Sequence, residues 1–393
     1  MANTLQLKLA RSFALSAVMW LAGLAAATAQ EFQTSAEQAI VMDYDSGSVL
    51  FQKNADQPMP PASMAKLMTM EVVFDALTRG QLTEESLFSI SEDAWRRGGT
   101  NSGGSSMFAK LNSDIALTDL MRGVIVQSGN DASIAIAEGM AGSEVGFAGL
   151  MNERARRIGL RNSTFRNSTG LPHPEQLVTA RDLAYLARHI IKTYPEYYKI
   201  YSEPEFTWNR IRQRNRNPIL GRVEGADGLK TGFTEASGYG LVGSATRDGR
   251  RIIMVLNGMA SKKDRSAEAV KLMRWAFRAF QTINLFDDGE IVGEATLYGG
   301  EKSGVALKAE GPLSIFVPIG FRDRLKADIV FRGPIEAPVE AGQQVAMLQV
   351  TVNGKITQET PLYTAEDVGV GSITQRAVDA MQELIIGLFI FEE

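Results

Sequence analysis

Ser63 and Lys66, in the stretch PASMAKLMTM, stand three residues apart at what reads as the start of an apolar helix. On a helix, positions i and i+3 share a face, with Cβ atoms about 5–6 Å apart. A serine hydroxyl and a lysine amine so placed can act as nucleophile and base, provided the amine is neutral. A neighbouring cation lowers a lysine pKa, because like charge disfavours the protonated form. Lys230, in DGLKTGFT, is the second cation available. Thr231 and Gly232 follow it at an expected strand start, where a glycine lets a substrate backbone approach closely. Ser128 and Asn130, in VQSGNDAS, fall at a break between helical runs. They add a hydroxyl and an amide suited to proton shuttling and to binding a substrate amide. The first pair alone also fits a plain helix start, since Ser caps helices well and Lys is common in a first turn.

Rival chemistries find few residues. The 393-residue chain has no cysteine, which excludes thiol nucleophiles, disulfides and Cys-ligated metals. Of its two histidines, His173 lies between two prolines and His189 on the run TARDLAYLARHI; both read as structural. No G-x-S-x-G elbow accompanies them, which disfavours a Ser-His-Asp hydrolase. A formal net charge of -4 gives no concentrated basic surface for nucleic acid. Acyl transfer by Ser, Lys and backbone donors calls for no metal or organic cofactor.

The elements that must position these groups follow from periodicity. AIVMDYDSGSVLFQKNAD reads as two strands around a turn at Asp45-Ser46-Gly47. Met64, Leu67, Met68, Val72, Val73 and Leu77 then recur at helical spacing. WRRGGTNSGGSS, from Trp95, reads as a Gly/Ser-rich loop. TDLMRGVIVQSGNDASIAIAEGMAG reads as two helices broken at Ser128-Gly129-Asn130, and EVGFAGLMNERARRIGL as an amphipathic helix. TARDLAYLARHIIKTYP is another, opened by Thr179 with Asp182 three residues on. YGLVGSATRDGRRIIMVLNGM reads as a hairpin turning at Asp248-Gly249, with a last helix over AEAVKLMRWAFRAF. Helices inserted between the strand-forming ends of one domain give an α+β arrangement, an antiparallel sheet backed by helices. Past about Ile283 short alternating segments take over, with Asn353-Gly354 as a hairpin signal. The expected organisation is therefore a leader at 1–29, a catalytic domain at 30–282, a small all-β domain at 283–370 and an amphipathic tail helix at 371–393.

S-x-x-K, S-x-N and K-T-G in this order resemble the penicillin-recognising serine acyltransferases. PASMAKLMT, VIVQSGNDASIAIAE, NSTGL, TARDLAYLAR, NRN (Asn215 to Asn217) and DGLKTGFTEASGYGLVGSA narrow the match. They resemble the low-molecular-weight D-alanyl-D-alanine carboxypeptidases that carry a C-terminal β domain and tail helix. The resemblance runs from about residue 36 to the C-terminus. It implies a β-lactamase-like, transpeptidase-type domain acting on peptidoglycan stem peptides and inhibited by β-lactams. It implies that Ser63 is acylated by the penultimate D-Ala carbonyl, with Lys66 as base and Ser128 and Asn130 relaying protons and holding the substrate amide. Lys230 would set the electrostatics, Thr231 would bind the terminal carboxylate, and the Ser63 and Phe233 backbone N–H groups would form the oxyanion hole. Family members often carry His where Phe233 stands, and only a backbone group is needed there. Arg265 falls where the family places an arginine facing the carboxylate; it also fits a solvated charge at a helix start. The nearest rivals are a β-lactamase, although 150–227 holds no E-x-x-L-N element, a D,D-endopeptidase, and a non-catalytic wall-binding protein.

Both chain ends carry envelope signals. Lys8 and Arg11, the run SFALSAVMWLAGLAAA and the small residues Ala27-Thr28-Ala29 have the layout of a secretory leader cleaved after Ala29. An uncleaved anchor is the other reading. In the tail, Val378, Met381, Leu384, Ile385, Leu388 and Phe389 recur at helical spacing, and the closing apolar run is too short to span a bilayer. The family uses such a tail as an in-plane anchor. The expected site is thus periplasmic, at the outer face of the inner membrane. The polar face is acidic, and a helix docked on the protein or paired with another copy also fits.

Overall fold

The computed structural model describes residues 32–319, 325–352 and 355–390. The expected leader, the Asn353-Gly354 turn and the last three residues lie outside the described residues.

The strand-forming ends meet in one sheet. β1 (Gln38–Asp43) is buried throughout and runs antiparallel to β2 (Val49–Lys53). Their turn is held by Asp43, whose Oδ2 accepts from the Ser46 N–H (2.8 Å) and hydroxyl (2.6 Å). The chain then leaves the sheet for α1 (Lys66–Thr78), followed by β3 (Leu87–Ser89), α2 (Glu92–Gly98) and β4 (Asp114–Ala116), which pairs with β3. Next come α3 (Leu117–Ile125), α4 (Asn130–Ala141), α5 (Glu144–Arg157), α6 (Ala180–Thr193) and the short α7 (Pro195–Tyr198). A small hairpin, β5 (Glu205–Trp208) and β6 (Ile211–Arg214), ends the excursion.

β7 (Ala226–Thr234), β8 (Gly238–Arg247) and β9 (Arg250–Met259) complete an antiparallel sheet in the order β2-β1-β9-β8-β7. Ile40 sits opposite Val255, which closes the helical insertion at its base. The β8–β9 turn places Asp248 and Gly249 at φ 51° and 75°, as a two-residue type I′ turn requires. α8 (Lys262–Ala279) is capped by Ser261, whose Oγ accepts from the Asp264 N–H (3.1 Å). Both α6 and α8 pack on the sheet, which explains why every residue of β1 is buried. This is the α+β architecture expected from the sequence.

Three local readings change. The helix bearing Lys66 begins there and not at Ser63; residues Ala62–Ala65 form a 3-10 turn ahead of it, and Ser63 caps nothing. Trp95 lies in α2 and not in a loop, because Ser91 caps that helix and Glu92 and Asp93 pair with Arg96 and Arg97 one turn on. α1 is also buried almost all round, Lys66, Thr69 and Glu71 included, so it is a central core helix. Its buried Glu71 is compensated by Arg154 of α5 (Nε–Oε1 3.1 Å) and the Tyr194 hydroxyl (3.2 Å). At α6, Thr179 accepts from the Asp182 N–H (3.1 Å), while the Asp182 carboxylate turns to Asn162 and Ser163 and leaves the box half made.

Beyond α8 the chain is all β up to the tail. β10 (Phe280–Phe286) pairs with β13 (Leu313–Pro318). β11 (Ile291–Tyr298), β12 (Gly304–Lys308), β14 (Leu325–Phe331), β15 (Ile335–Glu336), β16 (Gln344–Val352) and β17 (Lys355–Thr364) form a sheet in the order β14-β16-β17-β12-β11-β15. Val305, Leu307, Leu348, Val350 and Leu362 are among its core. α9 (Ile373–Ile390) opens on a capping box: the Ser372 N–H donates to Gln375 Oε1 (2.9 Å) and the Gln375 N–H to Ser372 Oγ (3.3 Å). Among the described residues no helix is long and apolar enough to cross a membrane.

Candidate active site

Ser63, Ser128, Asn130, Thr231, Gly232, Phe233 and Arg265 line one cleft of about 810 Å³ between the helical insertion and the exposed edge strand β7. The cleft is built around the 3-10 turn at Ala62–Ala65. Gly170 backs that turn: at φ 79° it has no Cβ, and one placed there would lie 1.9 Å from the Ala62 carbonyl oxygen. Gly232 presses from the other side. The sequence assigns its missing side chain to the close approach of a substrate. In the structure that space is taken by the turn itself, with the Pro61 oxygen at 3.0 Å and Ala62 Cβ at 3.1 Å from the missing atom. As part of an edge strand, β7 still offers outward-facing backbone groups to the cleft.

Lys66 is buried with its Nζ among three oxygens: Thr169 O (2.5 Å), Asn130 Oδ1 (2.7 Å) and Ser63 Oγ (3.1 Å). The first two are carbonyl oxygens and can only accept, so they fix two N–H bonds of the amine. Its third tetrahedral position therefore faces the Ser63 hydroxyl. Burial pushes the Lys66 pKa down to about 7; the Arg216 guanidinium pushes the same way, and Glu144 and Asp131 oppose both. A neutral Lys66 consequently aims its lone pair at Ser63 Oγ.

The expected source of that depression is Lys230, and here the structure differs. Lys230 is itself held well below the ordinary lysine range, by burial first and then by Lys66, Arg216 and Arg265. The charge that lowers Lys66 is instead the guanidinium of Arg216, which donates to Ser105 Oγ (2.5 Å) on the cleft wall. Lys230 Nζ donates to the Thr231 carbonyl (3.2 Å).

Ser128 sits in the break between α3 and α4 at φ 67°, and its buried Oγ has no hydrogen-bond partner among the described residues. Asn130 starts α4, where its N–H donates to the Ser105 carbonyl (2.7 Å). Asp131 ties the neighbouring loop down, accepting from Ser106 Oγ (2.7 Å) and the Met107 (2.9 Å) and Ala109 (3.1 Å) N–H groups. On the opposite wall Phe233 is exposed and stacks on Tyr239 (centroids 4.1 Å apart), and Arg265 lies over the other aromatic (5.6 Å). Arg265 is no solvated charge: it is only 8% exposed in the first turn of α8, and its Nε has no partner among the described residues. His173 and His189 line no part of the cleft.

The structure thus gathers the site residues expected from the sequence and adds three. Arg216 lies in the quoted NRN stretch, and the Thr169 carbonyl in NSTGL; both motifs signalled importance without revealing a part. Glu144, which accepts from the Ser168 N–H (3.2 Å) and hydroxyl (2.7 Å), holds the Thr169 loop in place.

Known proteins resemble this chain in sequence and fold. A family model described as D-alanyl-D-alanine carboxypeptidase matches residues 25–261, and one for the C-terminal domain of penicillin-binding protein 5 matches residues 280–370. D-alanyl-D-alanine carboxypeptidase DacC of Escherichia coli is 41% identical over 343 residues, 86% of each chain. D-alanyl-D-alanine carboxypeptidase DacA of Haemophilus influenzae is 38% identical over 360 residues, 91% of each. The crystal structure of penicillin binding protein 5 from Haemophilus influenzae superposes with a TM-score of 0.77 at 39% identity, covering 86% of this chain and 98% of that one. The chain belongs to the D-alanyl-D-alanine carboxypeptidase family of serine hydrolases.

Proposed function

We propose that this chain removes the terminal D-Ala from peptidoglycan stem pentapeptides through an acyl-enzyme at Ser63. The observation that carries the reading is the environment of Lys66, two of whose N–H bonds are fixed on carbonyl oxygens while the third position faces Ser63 Oγ. Ser63 Oγ attacks the penultimate D-Ala carbonyl and passes its proton to neutral Lys66. The backbone N–H groups of Ser63 and Phe233 receive the oxyanion. The unpartnered Ser128 hydroxyl passes a proton to the departing amine, and Asn130 holds the substrate amide through its Nδ2. Water then cleaves the ester and frees Ser63. β-Lactams acylate the same serine.

The terminal carboxylate is held by Thr231 and Arg265, with Lys230 behind them. Arg265 and Arg216 supply positive charge, and Glu235 is the lone carboxylate among the described lining residues. An arriving carboxylate also favours a protonated Lys230. Arg265→Ala is expected to lower turnover of D-Ala-D-Ala peptides by about 10- to 100-fold, the loss of one charge-assisted contact. Turnover of a neutral ester should hardly change. Equal effects on both substrates would remove Arg265 from carboxylate recognition. The direct test of the function is the mature chain with a stem pentapeptide: loss of one D-Ala by mass supports it, and an unchanged peptide overturns it.

We also propose export under direction of residues 1–29 and peripheral attachment to the outer face of the inner membrane through α9. Ile373, Val378 and Met381 of α9 are exposed, which supports an apolar contact. Asp379 Oδ2 accepts from the Gly299 N–H (2.9 Å), which ties the start of α9 to the β domain. The mature protein is expected to sediment with vesicles, deletion of 376–393 to release it, and high salt to leave it bound. Release by moderate salt, or full solubility with vesicles present, would contradict this attachment.

A further inference from the structure

The cleft is unevenly charged. Arg216, Lys262 and Arg265 line it as cations, against the single carboxylate of Glu235 among the described lining residues. That carboxylate makes no ion pair or hydrogen bond with any described residue, the three cations included. An unpaired carboxylate here repels a peptide's terminal carboxylate. It therefore lowers affinity unless the same peptide carries a cation within reach. Its place is also fixed. Glu235 directly follows β7 and opens the turn to β8, where the Thr234 N–H donates to Ser237 Oγ (3.0 Å) and the Ser237 N–H to Thr234 Oγ1 (3.1 Å). Alternation along an extended chain puts Thr231, Phe233 and Glu235 on one face, and all three line the cleft. Between the other two, Phe233 is 43% exposed and stacked on Tyr239, so ring surface stays open to the cleft.

We propose that Phe233 and Glu235 form a specificity subsite for the residue preceding D-Ala-D-Ala, a diamino acid whose side-chain amine is free. Its methylenes lie on the Phe233 ring and its ammonium meets the Glu235 carboxylate. The inference rests on the carboxypeptidase reading, which puts the terminal carboxylate at Thr231 and Arg265 and the scissile carbonyl at the Phe233 N–H. Those two contacts set the direction of the peptide: it pairs with the edge of β7 in antiparallel sense, as an added strand does. The preceding residue then comes beside Thr234 and Glu235. At about 3.3 Å per residue, Glu235 lies about 13 Å along the strand from Thr231. The diamino acid stands two residues before the carboxylate end, about 7 Å along, and its long side chain covers the remainder. An apolar stem with a charged tip fits a ring followed by a carboxylate, and a cation near the ring face adds its own attraction. The cleft is thus complementary to a peptide negative at its end and positive two residues earlier. A stem whose amine has been acylated has lost that cation, so the chain selects stems with the amine free.

The test compares two peptides that differ only in that charge, Nα-acetyl-lysyl-D-Ala-D-Ala and its Nα,Nε-diacetyl form, as substrates of the mature chain. The wild type is expected to favour the free amine by about three- to fivefold in kcat/KM, the range of a solvent-accessible ion pair. Glu235→Gln should bring the ratio of the two peptides close to one, and Glu235→Lys should invert it, which a purely structural role of the residue would not do. An unchanged melting temperature shows that the variants fold. In the wild type alone, about 0.5 M salt should also shrink the preference, because screening weakens an exposed pair. A wild-type ratio near one would overturn the proposal, as would a preference that salt leaves unchanged or that Glu235→Gln retains. Failure to turn over either peptide would instead overturn the carboxypeptidase reading beneath it.

Discussion

Replacing Lys66 by arginine is expected to slow acylation of the protein by about 10²- to 10⁴-fold, the usual contribution of a positioned general base. The substitution keeps a cation and a long stem but removes the lone pair, because a guanidinium does not give up its proton in this pH range. Lys66 is held by the Thr169 and Asn130 carbonyl oxygens, both of which an arginine can still satisfy as a donor. The expected loss is therefore one of chemistry, with near-native circular dichroism. Acylation kinetics with a fluorescent penicillin measure it directly. Near-normal rates would place the base elsewhere.

The second large effect is on pH dependence. Lys66 is brought down to about 7, chiefly by burial and then by Arg216. Below that value it is an ammonium and cannot accept the Ser63 proton, so the second-order acylation rate should approach a tenfold fall per pH unit, about 50-fold from pH 7 to pH 5. Above it the amine is neutral and the rate levels off. The sign follows from which form reacts: the deprotonated one. Arg216→Ala removes one of the two downward influences, so the inflection should move to higher pH. It should stay below the ordinary lysine range, because burial remains. A rate independent of pH from 5 to 8 would contradict this account of Lys66, and so would an inflection that Arg216→Ala leaves in place.

What the sequence could reveal here divides along physical lines. Side-chain chemistry at fixed local spacing was legible: Ser63 with Lys66, Ser128 with Asn130, and Lys230-Thr231-Gly232 all converge as their order implies. Turn and cap chemistry was legible too, at Asp248-Gly249 and Thr179, because it acts within a few residues. Contacts made by backbone atoms were not. The Thr169 carbonyl that anchors Lys66 belongs to a segment about a hundred residues away, and a carbonyl carries no residue identity. Charges arriving from distant segments were equally hidden, so Lys230 stood in for Arg216. The direction in which Gly232 needs space depends on which neighbour lies behind the strand, and only the folded chain shows that neighbour to be the Ser63 turn. Burial of a charge is hidden for the same reason: the residues around Arg265 leave a solvated helix-start charge and a site residue equally open until the cleft closes around it.

The central claim is that Ser63 is the nucleophile and that its hydroxyl forms the covalent intermediate. Intact-mass analysis of the mature protein after incubation with benzylpenicillin, followed by peptide mapping, tests it most directly. The account predicts one added penicillin per chain, carried on the peptide containing Ser63, and no adduct on a folded Ser63→Ala variant. An adduct on another serine, or on Ser63→Ala, would contradict it.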